Sequence, residues 1–167
     1  MDAFFAGIPD CVKLFPMYKI RRATNADAPE VARVFIASQA DALPYVARLH
    51  TQEETFRFIV DCVFADCEVW VATHKDTVIG MMAINRSHID HLYLQPGYYL
   101  QGIGTMLLNH AKALRPAGLT LYAFEANVRA CTFYRNHGFH EKERGDGSDN
   151  EARMPDILFQ WRHEVRH

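Results

Sequence analysis

The stretch Leu92–Gly104, LYLQPGYYLQGIG, restricts the fold more than any other part of the chain. An apolar strand pattern stops at Pro96-Gly97, and two glycines, Gly102 and Gly104, then open a segment with helical spacing. Ile103, Met106, Leu107, Ala111 and Leu114 fall on one side of that helix, and Pro116 ends it. The next segment, GLTLYAFEA, returns to strand character. A strand–helix–strand step of this kind requires a parallel pair, because only a crossover returns the second strand in the direction of the first.

The remaining elements are antiparallel in character or helical. Lys19–Ala23 reads as a short strand, and Thr24 offers an N-cap with Asp27 three residues later. Val31, Val34, Phe35 and the small Ser38 make the buried face of the helix that follows. Thr51 and Glu54 form the S/T-x-x-E capping box of a second helix, with Phe56, Ile59, Val60 and Val63 as its apolar stripe. EVWVATH and TVIGMMAI flank Lys75-Asp76 as a hairpin, and HIDHLYLQP (residues 88–96) is a third strand. After GLTLYAFEA comes a short helix, VRACTFYRNHG, ending at Gly138. The chain closes with FHEKE, a polar loop from Arg144 to Pro155, and the strand DILFQW. The order βααβββαβαββ predicts a mixed sheet with helices on its faces. It is an α/β sandwich, not a doubly wound sheet.

The chain of 167 residues suits one domain, assigned to residues 19–167 behind an extension at 1–18. That extension has no basic n-region, and Pro9, Asp10, Lys13 and Pro16 interrupt it. It reads as neither signal peptide nor membrane span but as an irregular segment packed on the domain or on a neighbour, so a homodimer is compatible with it. A net charge of -2 argues against nucleic acid or an anionic membrane as the main partner. Cys11, Cys62, Cys67 and Cys131 include no C-x-x-C pair, so they are read as reduced thiols of a cytoplasmic protein.

Free N–H groups at a helix start form an anion site without any lysine, and glycine lets a pyrophosphate approach the backbone. A G-x-G helix start is weak evidence alone, since a helix packed closely on a strand needs small residues too. The second segment, NVRACTFYRNHGF (residues 127–139), adds what the first lacks. Together the two resemble the GNAT acetyltransferases, whose signatures are Q/R-x-x-G-x-G/A after the fourth strand and N-x-x-A-x-x-F-Y-x-x-x-G-F. The second is matched at every position. In the first, Tyr99 stands at the Q/R position and Leu100 where a small residue is common. The resemblance covers residues 19–161 in element order. The tail GDGSDNEARMPDILFQW resembles a bacterial branch of the family with D-G-x-x-N-E and P-D before the last strand.

The resemblance implies a GNAT acyl-CoA N-acyltransferase fold that moves an acetyl group from acetyl-CoA to a primary amine of a small acceptor, by direct attack in a ternary complex. It places the pantetheine arm between Leu92–Leu94 (Leu92, Tyr93, Leu94) and Asn127, with an N–H near Leu94 facing the thioester carbonyl. The pyrophosphate falls on Leu100, Gln101, Gly102, Ile103, Gly104 and Thr105, and Tyr134 is the general acid. For the base, Asp90 comes first and His88 second. Strand alternation sets these two on one face with Leu92 and His91 on the other, so H-x-D-H is not read as a metal site and no metal is expected. Asp146, Asp149 and Glu151 in the last loop, and Tyr45 and His50 between the first two helices, are candidate walls of the acceptor pocket. Two other classes stay open at this point. Tyr99 and Leu100 allow a non-catalytic acyl-CoA sensor or scaffold. A generic nucleotide-phosphate binder would need only the QGIG turn, and the second motif argues against it.

Overall fold

The structure, a computed structural model, describes residues 17–44 and 48–163. Cys11, Tyr45 and most of the expected N-terminal extension lie outside the described residues. The chain runs through β1 (Tyr18–Arg22), a 3-10 turn (Asn25–Asp27), α1 (Ala28–Ala42), α2 (Gln52–Phe58), a π-helical turn (Ile59–Val63), α3 (Phe64–Asp66), β2 (Glu68–His74) and β3 (Thr77–Asn85). It continues with β4 (His88–Leu94), α4 (Ile103–Leu114), β5 (Leu119–Phe124), α5 (Val128–Asn136), β6 (His140–Gly145) and β7 (Asp156–Trp161). Counting α2, the π turn and α3 as one helix, this is the element order read from the sequence.

The seven strands form one sheet in the order β1-β2-β3-β4-β5-β7-β6. Every neighbouring pair is antiparallel except β4 with β5, the pair that the α4 crossover joins. One face packs on α4 and α5 through Ile84, Ile89, Leu107, Leu121, Phe139 and Phe159. The other packs on α1 and the α2–α3 segment through Val31, Val34, Phe35, Ile59, Val63 and Met81. Among the described residues no helix is long and apolar enough to cross a membrane.

Local chemistry accounts for most boundaries. Asp27 accepts a hydrogen bond from the Thr24 amide at 2.8 Å and is forked by Arg21 at 2.8 Å, which holds its carboxyl down at about 2. The Thr51 hydroxyl accepts from the Glu54 amide at 3.1 Å, and the Glu54 carboxylate from the Thr51 amide at 2.7 Å. The buried line of this helix differs from the expected stripe. Ile59 and Val63 are buried, but Phe56 and Val60 are exposed. The π turn adds a residue to the helical repeat, so positions four apart stay in line and those at three turn outward. On α4, Leu108 is buried in place of the expected Met106. β6 runs on to Gly145, past the expected loop start at Arg144.

The larger correction is in β4. Ala83 stands opposite His91 but Ile84 opposite Ile89, which leaves Asp90 as an extra residue in a β-bulge. Simple alternation therefore fails. Ile89, Leu92 and Leu94 all face α4 and α5, whereas His91 and Tyr93 face Phe35 on α1. Asp90 meets Cys67 at the α3–β2 junction, and His88 meets Thr120 and Tyr122 on the face away from Leu119 and Leu121.

His91 sits among Phe35, Phe58 and Tyr93, with ring centroids 5.2, 5.9 and 5.9 Å away. Burial pushes its imidazole down to about 4, against the opposing pull of Asp90. An unfolded imidazole titrates at about 6.5, so between these values the unfolded chain binds a proton that the folded chain refuses. Stability should thus fall as pH drops from about 6.5 toward 4, by about 3 kcal/mol from this residue. Thermal melts across this range should show a flatter dependence for His91→Phe than for the wild type. Equal slopes would mean that His91 is not desolvated.

Candidate active site

β4 and β5 pair as strands at only two positions, His88 with Thr120 and Ile89 with Leu121. Past the bulge the strands part. β5 continues on β7 and β4 on β3, so the edge of β4 from Leu92 to Leu94 that faces β5 has no strand partner. A cavity of about 1750 Å³ opens there, lined by Leu92, Tyr93, Leu94, Ala123, Phe124, Asn127 and Tyr134, and it extends to both the α4 start and the β6–β7 loop. Sites for one drug-sized ligand are usually about 300–1,000 Å³. This space admits a long cofactor and a second substrate together.

The side expected to hold the cofactor begins at the β4–α4 turn. Gly102 is the N-cap of α4 at φ 83°, without a side-chain cap, so the first-turn N–H groups are not engaged by it. A Cβ at Gly102 would meet nothing within 4 Å, whereas one at Gly104 would lie 3.3 Å from the Phe133 ring. The two glycines therefore serve different needs: Gly102 the left-handed turn, Gly104 the close packing of α4 on α5. Leu100, Gly102, Gly104 and Thr105 line the cavity. Gln101 and Ile103 do not. The Gln101 side chain accepts from the Tyr18 hydroxyl and donates to the Gly97 carbonyl at 3.0 Å, and Ile103 is fully buried. Asn127 caps α5 by accepting from the Ala130 amide at 3.1 Å, which fixes the cavity's opposite edge.

Tyr134 projects from α5 into the floor, 8% exposed, between Phe133, Phe139 and Phe159. Burial raises its phenol further above the ordinary value, so the group stays protonated. Asp90 is exposed to the cavity, and the Cys67 thiol donates to its carboxylate at 3.3 Å. Burial first, and Asp90 second, push that thiol up to about 12, so it remains a donor. His91 also lines the cavity; its Nδ1 is buried with no partner among the described residues. His88 is not part of the lining. Its Nδ1 lies 2.8 Å from the Thr120 hydroxyl, and burial lowers its imidazole. Because the bulge turns Asp90 away from the Leu92 side, alternation no longer separates it from His91. Even so, no three His, Cys, Asp or Glu groups are arranged to hold a metal among the described residues.

The other side of the cavity is acidic. Glu143, Asp146, Asp149, Glu151 and Asp156 contribute to it. The D-G-x-x-N part of the tail motif builds the loop itself. Asp146 accepts from the Ser148 amide at 2.9 Å, and Gly147 turns at φ 91° where a Cβ would be 2.6 Å from the Met154 nitrogen. Asn150 donates to the Met154 carbonyl at 2.7 Å and to Asp156 at 3.0 Å. The loop thereby presents Glu151, 2.7 Å from His50 of the α1–α2 connection. Arg129 and Phe58 also line the cavity and were not singled out by the motifs; Tyr99, noted as a departure from the first motif, lines it too. Arg129 occupies an unspecified motif position, and only its neighbours in space mark it.

The Acetyltransferase (GNAT) domain family matches residues 65–141. The chain is 30% identical over 134 residues to the peptidyl-lysine N-acetyltransferase YjaB of Salmonella typhimurium, covering 80% of this chain and 90% of that protein. Its fold matches the solution structure of apo YjaB from Escherichia coli with a TM-score of 0.72 at 24% identity, over 86% of this chain and 96% of that one. It also matches the PaiA N-acetyltransferase of Thermoplasma acidophilum, solved with coenzyme A, with a TM-score of 0.68 at 20% identity, over 87% and 98% of the two chains. The chain belongs to the GNAT acetyltransferase family.

Proposed function

We propose that this acetyltransferase moves the acetyl group of acetyl-CoA onto the side-chain amine of a lysine, by direct attack within a ternary complex. The observation that carries this reading is the single cavity joining the α4 start, Tyr134 and Asp90 to an acidic wall. Pantetheine amides would pair with the unpartnered edge of Leu92–Leu94 as an added strand, and the pyrophosphate would rest on the N–H groups of the first α4 turn. Asp90 takes a proton from the ammonium, directly or through water, because lysine amines have a pKa of about 10.4. The freed nitrogen attacks the thioester carbon. An N–H near Leu94 stabilises the oxyanion, and collapse breaks the C–S bond as Tyr134 protonates the departing sulfur. The nitrogen, cationic in the adduct, gives its second proton to water as the amide forms; Asp90 then releases its proton to solvent and Tyr134 regains one, so each turnover releases one proton in net.

The acidic wall supports a cationic acceptor, and the name of the Salmonella relative supports lysine. A small free amine is the second reading, favoured by the His50–Glu151 contact, which bridges two walls of the acceptor side and narrows it. Thiol release from acetyl-CoA should be fast with lysine-containing peptides and slower with free polyamines; the reverse order would select the small-amine reading. No release with any amine, despite acetyl-CoA binding, would leave a sensor or scaffold.

Tyr134→Phe should lower kcat by about two orders of magnitude and leave cofactor affinity nearly unchanged, since the ring still packs. Full turnover in that variant would make Tyr134 structural. Asp90→Asn should depress kcat at neutral pH and recover as pH rises, because the amine then deprotonates unaided. A pH profile identical to the wild type would put the base elsewhere, with His88 next to be replaced.

A further inference from the structure

We propose that Arg129 is a phosphate-binding residue for coenzyme A, holding the pyrophosphate from the α5 side of the cleft. The inference rests on acetyl-CoA being the co-substrate. The turn from Gly97 to Gln101 contains no basic residue, and Tyr99 stands where the family places Gln or Arg. With a net charge of -2, the chain has no general positive field to attract a polyanion. A cation has to come from somewhere local.

Arg129 is in the first turn of α5, and its guanidinium carbon lies 4.0 Å from the centroid of the Tyr99 ring. It lines the cavity together with Leu100 and Gly102 of the phosphate turn. The Tyr99 hydroxyl is buried beside Ser38 and Asp41 of α1, so the ring is a fixed platform on which the planar guanidinium stacks. Asn127, capping the same helix turn, fixes where Arg129 starts. The charge that the family's turn would carry on its own residue is thus supplied across the cleft.

In this structure Arg129 also meets Asp41 at 3.2 Å, with both side chains about half exposed (51% and 42%). Exposed pairs of this kind are screened by solvent and contribute little, so Asp41 is a weak competitor for a guanidinium that a pyrophosphate can engage through two parallel bonds. Stacking on Tyr99 and pairing with a phosphate use different parts of the guanidinium, its face and its edge. Both can hold at once.

Calorimetry of the full chain with coenzyme A, dephospho-coenzyme A and pantetheine tests this. Arg129→Gln should weaken coenzyme A and dephospho-coenzyme A alike by about tenfold, the size of one charge-assisted hydrogen bond, and leave pantetheine affinity unchanged. Arg129→Lys should restore part of the loss, and Asp41→Asn should tighten coenzyme A by removing the competitor. An equal loss for pantetheine would show that Arg129 acts through the fold, and unchanged coenzyme A affinity in Arg129→Gln would show that it does not reach the phosphates. Either result overturns the assignment while wild-type binding stands. If the wild type itself fails to bind coenzyme A, the proposed function falls, and the role of Arg129 with it.

Discussion

The contact between β4 and β5 is a parallel pairing only two residues long, and the rest of the site is built on its brevity. Long enough to place α4 and α5 on one face, it ends where Asp90 is inserted as a bulge. A bulge bends its strand and increases the local twist, so the two strands diverge from that point. The divergence leaves the β5-facing edge of Leu92–Leu94 unpaired, although β4 is otherwise central and its other edge pairs with β3. Buried backbone groups need partners, and an extended ligand with amides of its own can provide them. The same residue that ends the pairing also carries a carboxylate into the cavity.

Charge in the site follows from the same economy of parts. On the proposed reading the phosphate end relies on helix N–H groups at a left-handed Gly102, reinforced by Arg129. The acceptor end is lined by carboxylates on a loop that Gly147 and Asn150 fold upon itself. Tyr134 lies between, held protonated by burial, where on that reading the leaving sulfur would need a donor. The two ends prefer opposite charges, which orients a polyanionic donor and a cationic acceptor without a strong field from the whole molecule.

Much of this was legible in the residues, for identifiable reasons. Capping at Thr51 and Asn127 and the helix end at Gly138 depend on local hydrogen bonding and backbone preference, which adjacent residues specify. The parallel pair followed from the crossover alone. The bulge did not, because it is a property of register between β3 and β4, and nothing in HIDHLYL marks which residue is extra. That is why alternation puts His88 and Asp90 with Leu92, whereas His88 lies on the other face and Asp90 turns away in the bulge; His91 faces away from Leu92 as expected. Phe56 and Val60 failed for a related reason: a π turn changes the repeat that a helical stripe assumes. Arg129 and Tyr99 are thirty positions apart in sequence and meet only through the packing of α5 beside the turn.

Amide hydrogen exchange with and without acetyl-CoA tests the central claim most directly, since it reads the backbone that the splayed strands leave open. Saturating acetyl-CoA should slow exchange at Leu92–Leu94 and in the first turn of α4, Ile103–Met106, while the β5–β7 ladder, already paired, changes little. Protection confined to other parts of the chain, or none at saturating ligand, would contradict the account.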